Sequence, residues 1–229
     1  MILPPDPARV RELWFYLFAA FVVRNGARLF LGLRVEGVEH IPREGGLIIA
    51  GNHISSFDPP IIGSLVPREI HFMAKRELFD KQPMRWIAEH LMAFPVDRER
   101  NDTKAIKDAL RFLRAGLAVG IFPQGTRNAG DAQALDGAAF LAQRAGVPLQ
   151  PVAIWREGRA FRVRFGRPLP PSGRSKAEMR ALTETLMAHI NALLPPHLRA
   201  QASGETTRSD APAPSETPAN GPTLMEQGA

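Results

Sequence analysis

The segment Ala50-Gly51-Asn52-His53-Ile54-Ser55-Ser56-Phe57-Asp58-Pro59-Pro60 sets a histidine and an aspartate in a polar, turn-prone stretch, with four residues between them. A loop or first helical turn there can fold Asp58 back onto the His53 ring. A carboxylate on one ring nitrogen fixes the tautomer and supports the imidazolium that forms when the other nitrogen takes a proton. The pair then reads as a general base with its orienting partner; a surface histidine beside a helix-capping aspartate would leave the same pattern. No serine lies in a GxSxG setting and the chain has no cysteine. The nucleophile therefore need not belong to the protein, and a substrate hydroxyl can take that role.

A second stretch, Ile121-Phe122-Pro123-Gln124-Gly125-Thr126-Arg127, also closes an apolar run. Gly125 lets a ligand approach the backbone closely. Arg127 and the amides around it, in Gln124-Gly125-Thr126, can cradle a phosphate; an ordinary Pro-Gly turn with a solvated arginine fits as well. Without cysteine there is no disulfide, thiol nucleophile or thiolate metal site. The six histidines (40, 53, 71, 90, 189 and 197) show no HExxH-like spacing, so no metal is expected.

Both stretches need strands to hold them. Leu47-Ile48-Ile49-Ala50 and Leu117 to Phe122 read as buried strands, and α/β folds place sites at the carboxyl ends of such strands. Further strands are expected at Leu33–Val38, Ile70–Met73, Ala93–Val96, Leu149–Ile154 and Phe161–Phe165. Helices are expected at Thr103–Ala115, stopped by Gly116, and at Leu135–Arg144, ended by Gly146. A third runs from the capping box Ser175-Lys-Ala-Glu178 to about Leu194. The alternation predicts an α/β body around a mixed, largely parallel sheet flanked by helices.

The 229 residues suit one domain with appendages, and 45% hydrophobic with 23% charged residues is ordinary globular composition. Residues 1–33 read as an apolar helix, with Asp6 as N-cap and Pro7 at its first position. Its uncharged run Leu13–Val23 is too short to span a bilayer, and Arg24 and Arg28 follow. Trp14, Phe15, Tyr16, Phe18 and Phe21 surround the axis, which suits a helix lying in a membrane interface; a terminal helix packed on the body is the alternative. Residues 34–199 form the expected catalytic domain. Residues 200–229 lack periodicity and read as a disordered tail. The net charge is +6, and residues 1–203 carry +9 once the acidic tail is set aside. Such a body attracts an anionic partner: nucleic acid, a phospholipid surface or a phosphorylated substrate.

Taken together, NHxxxxD at 52–58 and FPxGTR at 122–127 resemble the lysophospholipid/glycerol-phosphate acyltransferase family, nearest to its bacterial 1-acylglycerol-3-phosphate members. Phe94-Pro95-Val96-Asp97-Arg98 resembles the family's second block and Val147-Pro148-Leu149-Gln150-Pro151-Val152 its fourth. Phe72-Met73-Ala74-Lys75-Arg76-Glu77-Leu78-Phe79 resembles the lysine-bearing segment between the first and second. The blocks fall in family order across roughly residues 30–195. The resemblance implies a glycerol-phosphate acyltransferase-like fold and acyl transfer from acyl-CoA or acyl carrier protein, as co-substrate, to a lysophosphatidate-type hydroxyl. His53 and Asp58 would be catalytic. Arg98 and Arg127 would hold the acceptor phosphate, with Lys75, Gly125, Thr126 and Gln124 beside it. Neither metal nor bound cofactor is implied. The partner is a phospholipid membrane, at the cytoplasmic face, and not nucleic acid. Two positions depart from the family pattern: Gln124 stands where it has glutamate, and Asp136 where it has a lysine before Gly137-Ala138. These leave a non-catalytic or altered-specificity lipid-binding relative as the alternative.

Overall fold

Every residue of Leu47–Gly51 is buried, and its side chains divide between two cores. Leu47 and Ile49 enter one; Ile48 and Ala50 enter the other. A strand covered on both faces has no polar side to present, which is why its sequence is a continuous apolar run. The computed structural model describes residues 7–97, 102–123, 132–171, 173 and 175–202. In chain order the elements are α1 (Pro7–Phe30), β1 (Arg34–Glu36), β2 (Leu47–Gly51), α2 (Asp58–Leu65), β3 (Ile70–Lys75), α3 (Met84–His90), β4 (Phe94–Val96), α4 (Thr103–Arg114), β5 (Ala118–Ile121), α5 (Ala132–Ala145), β6 (Leu149–Glu157), β7 (Ala160–Phe165), α6 (Lys176–Leu193) and α7 (Pro196–Ala202).

The seven strands lie in the order β1-β7-β6-β2-β5-β3-β4. All neighbours are parallel except β6 and β7, which form a hairpin. Helices α1 and α2 cover one face, and α4, α5 and α6 the other. This is the mixed, largely parallel α/β sheet that the strand–helix alternation predicts. The β2 and β5 ends are adjacent, with Ala50 opposite Ile121. The chain segments holding the two candidate motifs therefore leave the sheet side by side. Gly51 allows this crowding, because a Cβ there would lie 2.8 Å from the Val152 carbonyl oxygen on β6.

The capping box at Ser175 forms as expected: its hydroxyl accepts from the Glu178 N–H, and the Glu178 carboxylate accepts from the Ser175 N–H. Three short helices have no counterpart in the sequence reading. Helix α2 begins at Asp58 with prolines in its first turn, where a missing N–H costs nothing. Helix α3 spans only seven residues, too few to show a period. Helix α7 runs to Ala202, past the tail boundary expected at residue 200; residues beyond it, and Asp6, lie outside the described residues.

Helix α1 continues through Arg24 and Arg28 to Phe30. One side of it packs on the body, as the second reading of the terminal helix expects, and the other side is exposed. Tyr16 and Ala27 are buried in the core with α2, while Trp14, Phe18 and Phe21 are 71%, 64% and 57% exposed. Among the described residues no helix is long and apolar enough to cross a membrane.

Candidate active site

The turn after β2 folds Asp58 under His53. Ser55 caps the turn locally: its carbonyl accepts from the Asp58 N–H at 3.0 Å and its hydroxyl from the Phe57 N–H at 3.2 Å. Asp58 is fully buried. One carboxylate oxygen, Oδ2, takes three donors: His53 Nδ1 at 2.8 Å, the Ile54 N–H at 2.6 Å and the Ser55 N–H at 2.7 Å. Burying a carboxylate is costly unless donors such as these satisfy it. The other oxygen, Oδ1, is buried without a partner among the described residues. Because the carboxylate accepts, Nδ1 carries the proton and Nε2 is left as the basic nitrogen.

Two contacts fix the ring and the turn. His53 stacks on Phe122 with centroids 4.3 Å apart and planes 23° from parallel, and Phe122 in turn lies 5.9 Å from the near-parallel Phe72. Phe72 sits opposite Gly120 in the β3–β5 ladder; a Cβ at Gly120 would collide with the Phe72 ring. Asn52 anchors the start of the turn through both of its amide atoms, to the backbone of Ile154 on β6.

His53 borders a cavity of about 870 Å³. Its walls come from α1 (Tyr16, Ala20, Val23), α2 (Pro60, Gly63), β3 (Phe72, Ala74) and α3 (Met84, Ile87, Ala88). The lining is predominantly apolar, which suits an apolar ligand. Lys75, at the end of β3, stands at its wall and pairs with Glu77 at 3.0 Å, both about half exposed.

Arg98, Gln124, Gly125, Thr126 and Arg127 lie outside the described residues. The structure places what precedes them: Asp97 after β4, and Phe122-Pro123 after β5, beside His53. The Asp97 backbone is tied down by Asp102, the N-cap of α4. One Asp102 oxygen accepts from the Lys104 and Ala105 N–H groups, and the other from the Asp97 N–H and Arg76. The Ala105 and Asp97 N–H groups, with Arg76, hold the Asp102 carboxyl below its usual range. Asp136, which stands where the family pattern has a lysine, has a partner on a neighbouring helix. It lies on α5 and accepts from the Thr183 hydroxyl of α6 at 2.9 Å, so it joins two helices.

Sequence spacing marked His53 and Asp58 but not Asn52, Phe122, Gly120 or Asp102. Asn52 and Phe122 stand inside the two motifs, which is a signal of a kind. Their partners are distant in sequence, and no local pattern encodes them.

A histidine held by a buried carboxylate thus stands at the wall of an apolar cavity, at the carboxyl ends of parallel strands, where its free ring nitrogen can take a proton from a bound hydroxyl. The Acyltransferase family model matches residues 32–155. The 1-acyl-sn-glycerol-3-phosphate acyltransferase of Bacillus subtilis is 33% identical over 192 residues, covering 78% of this chain and 96% of that protein. The lyso-ornithine lipid O-acyltransferase of Pseudomonas aeruginosa is 33% identical over 137 residues, 58% of this chain and 51% of that protein. The crystal structure of the 1-acyl-sn-glycerophosphate acyltransferase of Thermotoga maritima superimposes with a TM-score of 0.66 at 24% identity, over 86% of this chain and 85% of that one, so the two share a fold. The chain belongs to the acyltransferase family.

Proposed function

We propose that the protein transfers a fatty acyl group from a thioester, acyl-CoA or acyl carrier protein, to the free hydroxyl of 1-acyl-sn-glycerol 3-phosphate, forming phosphatidate in phospholipid synthesis. The observation that carries this reading is the His53–Asp58 pair at the wall of the apolar cavity. An alcohol attacks a thioester poorly unless a base removes its proton as the bond forms. His53 Nε2 takes that proton, and Asp58 supports the resulting imidazolium. Help of this kind contributes about a hundred- to ten-thousand-fold. The tetrahedral adduct then expels the thiolate, which recovers the proton from His53. No acyl-enzyme forms, and the reaction requires neither metal nor bound cofactor. Arg98 and Arg127 hold the acceptor phosphate, with Lys75, Gln124, Gly125 and Thr126 around it. The cavity houses an acyl chain.

The exposed aromatic side of α1 supports a location on the membrane surface, at the cytoplasmic face where both thioester donors occur. A second reading, altered acceptor choice, is favoured by Gln124: an amide in place of a carboxylate loses a charge while keeping hydrogen bonds. The buried, three-donor Asp58 speaks against a non-catalytic relative, since a binding protein gains nothing from an oriented base.

Thiol release from acyl-CoA and from acyl carrier protein, measured with lysophosphatidate, glycerol 3-phosphate, lyso-ornithine lipid and lysophosphatidylcholine, tests the assignment. Lysophosphatidate is expected to give the highest kcat/KM. Preference for lyso-ornithine lipid would establish the second reading, and no acceptor-dependent release would overturn both.

A further inference from the structure

The end of α1 and the β6–β7 hairpin meet at the edge of the sheet. The Phe161 N–H donates to the Leu31 carbonyl at 3.0 Å, and Arg162 donates to the Gly32 carbonyl at 2.8 Å. Gly32 packs against Ala160. The hairpin is tight: Glu157 pairs with Ala160, so its turn is Gly158-Arg159. The tip belongs to the same end of the sheet as His53. Gly51 at the end of β2 is level with Val152, and β6 continues five residues further to Glu157.

Two kinds of exposed side chain coincide there. Leu29 and Phe30 are 76% and 80% exposed, an expensive arrangement in water for two large apolar residues at one helix end. Arg28 on the same helix end and Arg156 and Arg159 on the hairpin are exposed; Arg156 lies over the Phe161 ring at 5.1 Å, and none of the three has an acidic partner among the described residues. The acid at the hairpin, Glu157, is already engaged by Arg162 at 2.9 Å and by the Trp155 indole.

We propose that this corner is a docking site for anionic phospholipid. Leu29 and Phe30 enter the acyl-chain boundary while Arg28, Arg156 and Arg159 meet headgroup phosphates. Because the hairpin is braced on the sheet, docking turns the carboxyl-end face, with His53 and the cavity, toward the bilayer. The proposal rests on the membrane-surface reading above and adds to it a headgroup class and a place. An acidic protein could answer the arginines but leaves the two apolar side chains without a purpose, so a lipid surface is the better fit.

The test is co-sedimentation of the full chain with phosphatidylcholine vesicles, with and without phosphatidylglycerol at about 30 mol%, for wild type, R156Q/R159Q and Phe30→Ser. Two arginines near an anionic surface account for about a thirty-fold difference in affinity. R156Q/R159Q is therefore expected to lose about that factor on the anionic vesicles and almost nothing on the neutral ones, and the difference should shrink as salt rises. Phe30→Ser should weaken binding to both. Turnover of a dispersed short-chain acceptor should be unchanged in R156Q/R159Q, which also reports that the variant is folded. Wild-type protein that ignores every vesicle would overturn the membrane reading and this proposal with it. Vesicle binding that is indifferent to phosphatidylglycerol, or unaffected by R156Q/R159Q, would overturn the proposal alone. So would an R156Q/R159Q effect confined to the KM for acyl carrier protein thioester, which would make the corner a protein-docking site.

Discussion

Asn52 satisfies both backbone polar groups of Ile154: its Nδ2 donates to the Ile154 carbonyl at 2.7 Å, and its Oδ1 accepts from the Ile154 N–H at 2.8 Å. The side chain thus continues the β2–β6 ladder one step beyond the last backbone pair and fixes where the His53 turn begins. Asn52→Ala leaves a buried N–H and C=O unpaired, at about 1–3 kcal/mol for each group. The expected outcome is a lower unfolding midpoint together with a reduced kcat. Asn52→Asp keeps the acceptor and should retain part of the stability. Thermal denaturation and initial rates on the same preparations measure both, and an Asn52→Ala protein with native midpoint and rate would contradict this role.

Phe122 presents its face to the His53 imidazole. An aromatic face stabilises a cation resting on it, so the stack favours the imidazolium formed as the acceptor loses its proton. Phe122→Leu keeps apolar volume and loses the face. Its kcat should fall about two- to thirty-fold, the span of a cation–π contact, while the KM for donor and acceptor stays nearly constant. Phe122→Tyr should restore the rate. Steady-state kinetics decide it: a loss seen only in KM would assign Phe122 to the substrate chain instead.

Tyr16 is the only tyrosine in the chain, which makes its titration directly visible. Its hydroxyl is buried without a hydrogen bond of normal geometry. Burial, opposed by the nearby Ile70 backbone and assisted by Glu69, pushes its pKa up from 10.0 to about 12. The folded state keeps the proton where the unfolded chain loses it. Stability from this source is therefore complete below pH 10 and is lost as pH rises toward 12. At 1.36 kcal/mol per unit the effect is about 3 kcal/mol. Phenolate absorbance followed beside circular dichroism should show ionisation accompanying unfolding, and Tyr16→Phe should flatten the alkaline loss. Ionisation near pH 10 with the fold intact would contradict the burial argument.

Much of this architecture could be read before the structure, and the reason is local. Leu47–Gly51 and Ala118–Ile121 are apolar at every position because both faces are covered, and the chain punctuates α4 and α5 with Gly116 and Gly146, both in the left-handed region. His53 and Asp58 were legible because their contact spans one turn. What escaped depends on residues brought together from afar: Asn52 with Ile154, Phe122 with His53, and the cavity wall that α1 and α3 share. Helix α1 was half legible, since its aromatic residues face core and exterior alike and composition cannot say which side is which.

Asp136 tests how a family position should be read. Here it accepts from Thr183 and joins α5 to α6. Restoring the family's lysine by Asp136→Lys should remove that bond and set an ammonium in a half-buried helix contact. The expected result is a loss of about 1–3 kcal/mol in stability, with no gain in turnover. Denaturant unfolding gives the first quantity and the acyl-transfer rate the second. A faster Asp136→Lys enzyme would show that the position serves the site rather than the helix pair.

His53 is the residue on which the proposed chemistry depends most directly. The single-turnover rate of acyl transfer to lysophosphatidate, compared between wild type and a His53→Ala protein shown by circular dichroism to be folded, measures its contribution. General-base removal predicts a fall of at least about a hundredfold, with Asp58→Asn close behind because the ring loses its orienting acceptor. A folded His53→Ala protein that transfers acyl groups at a near-normal rate would contradict the mechanism.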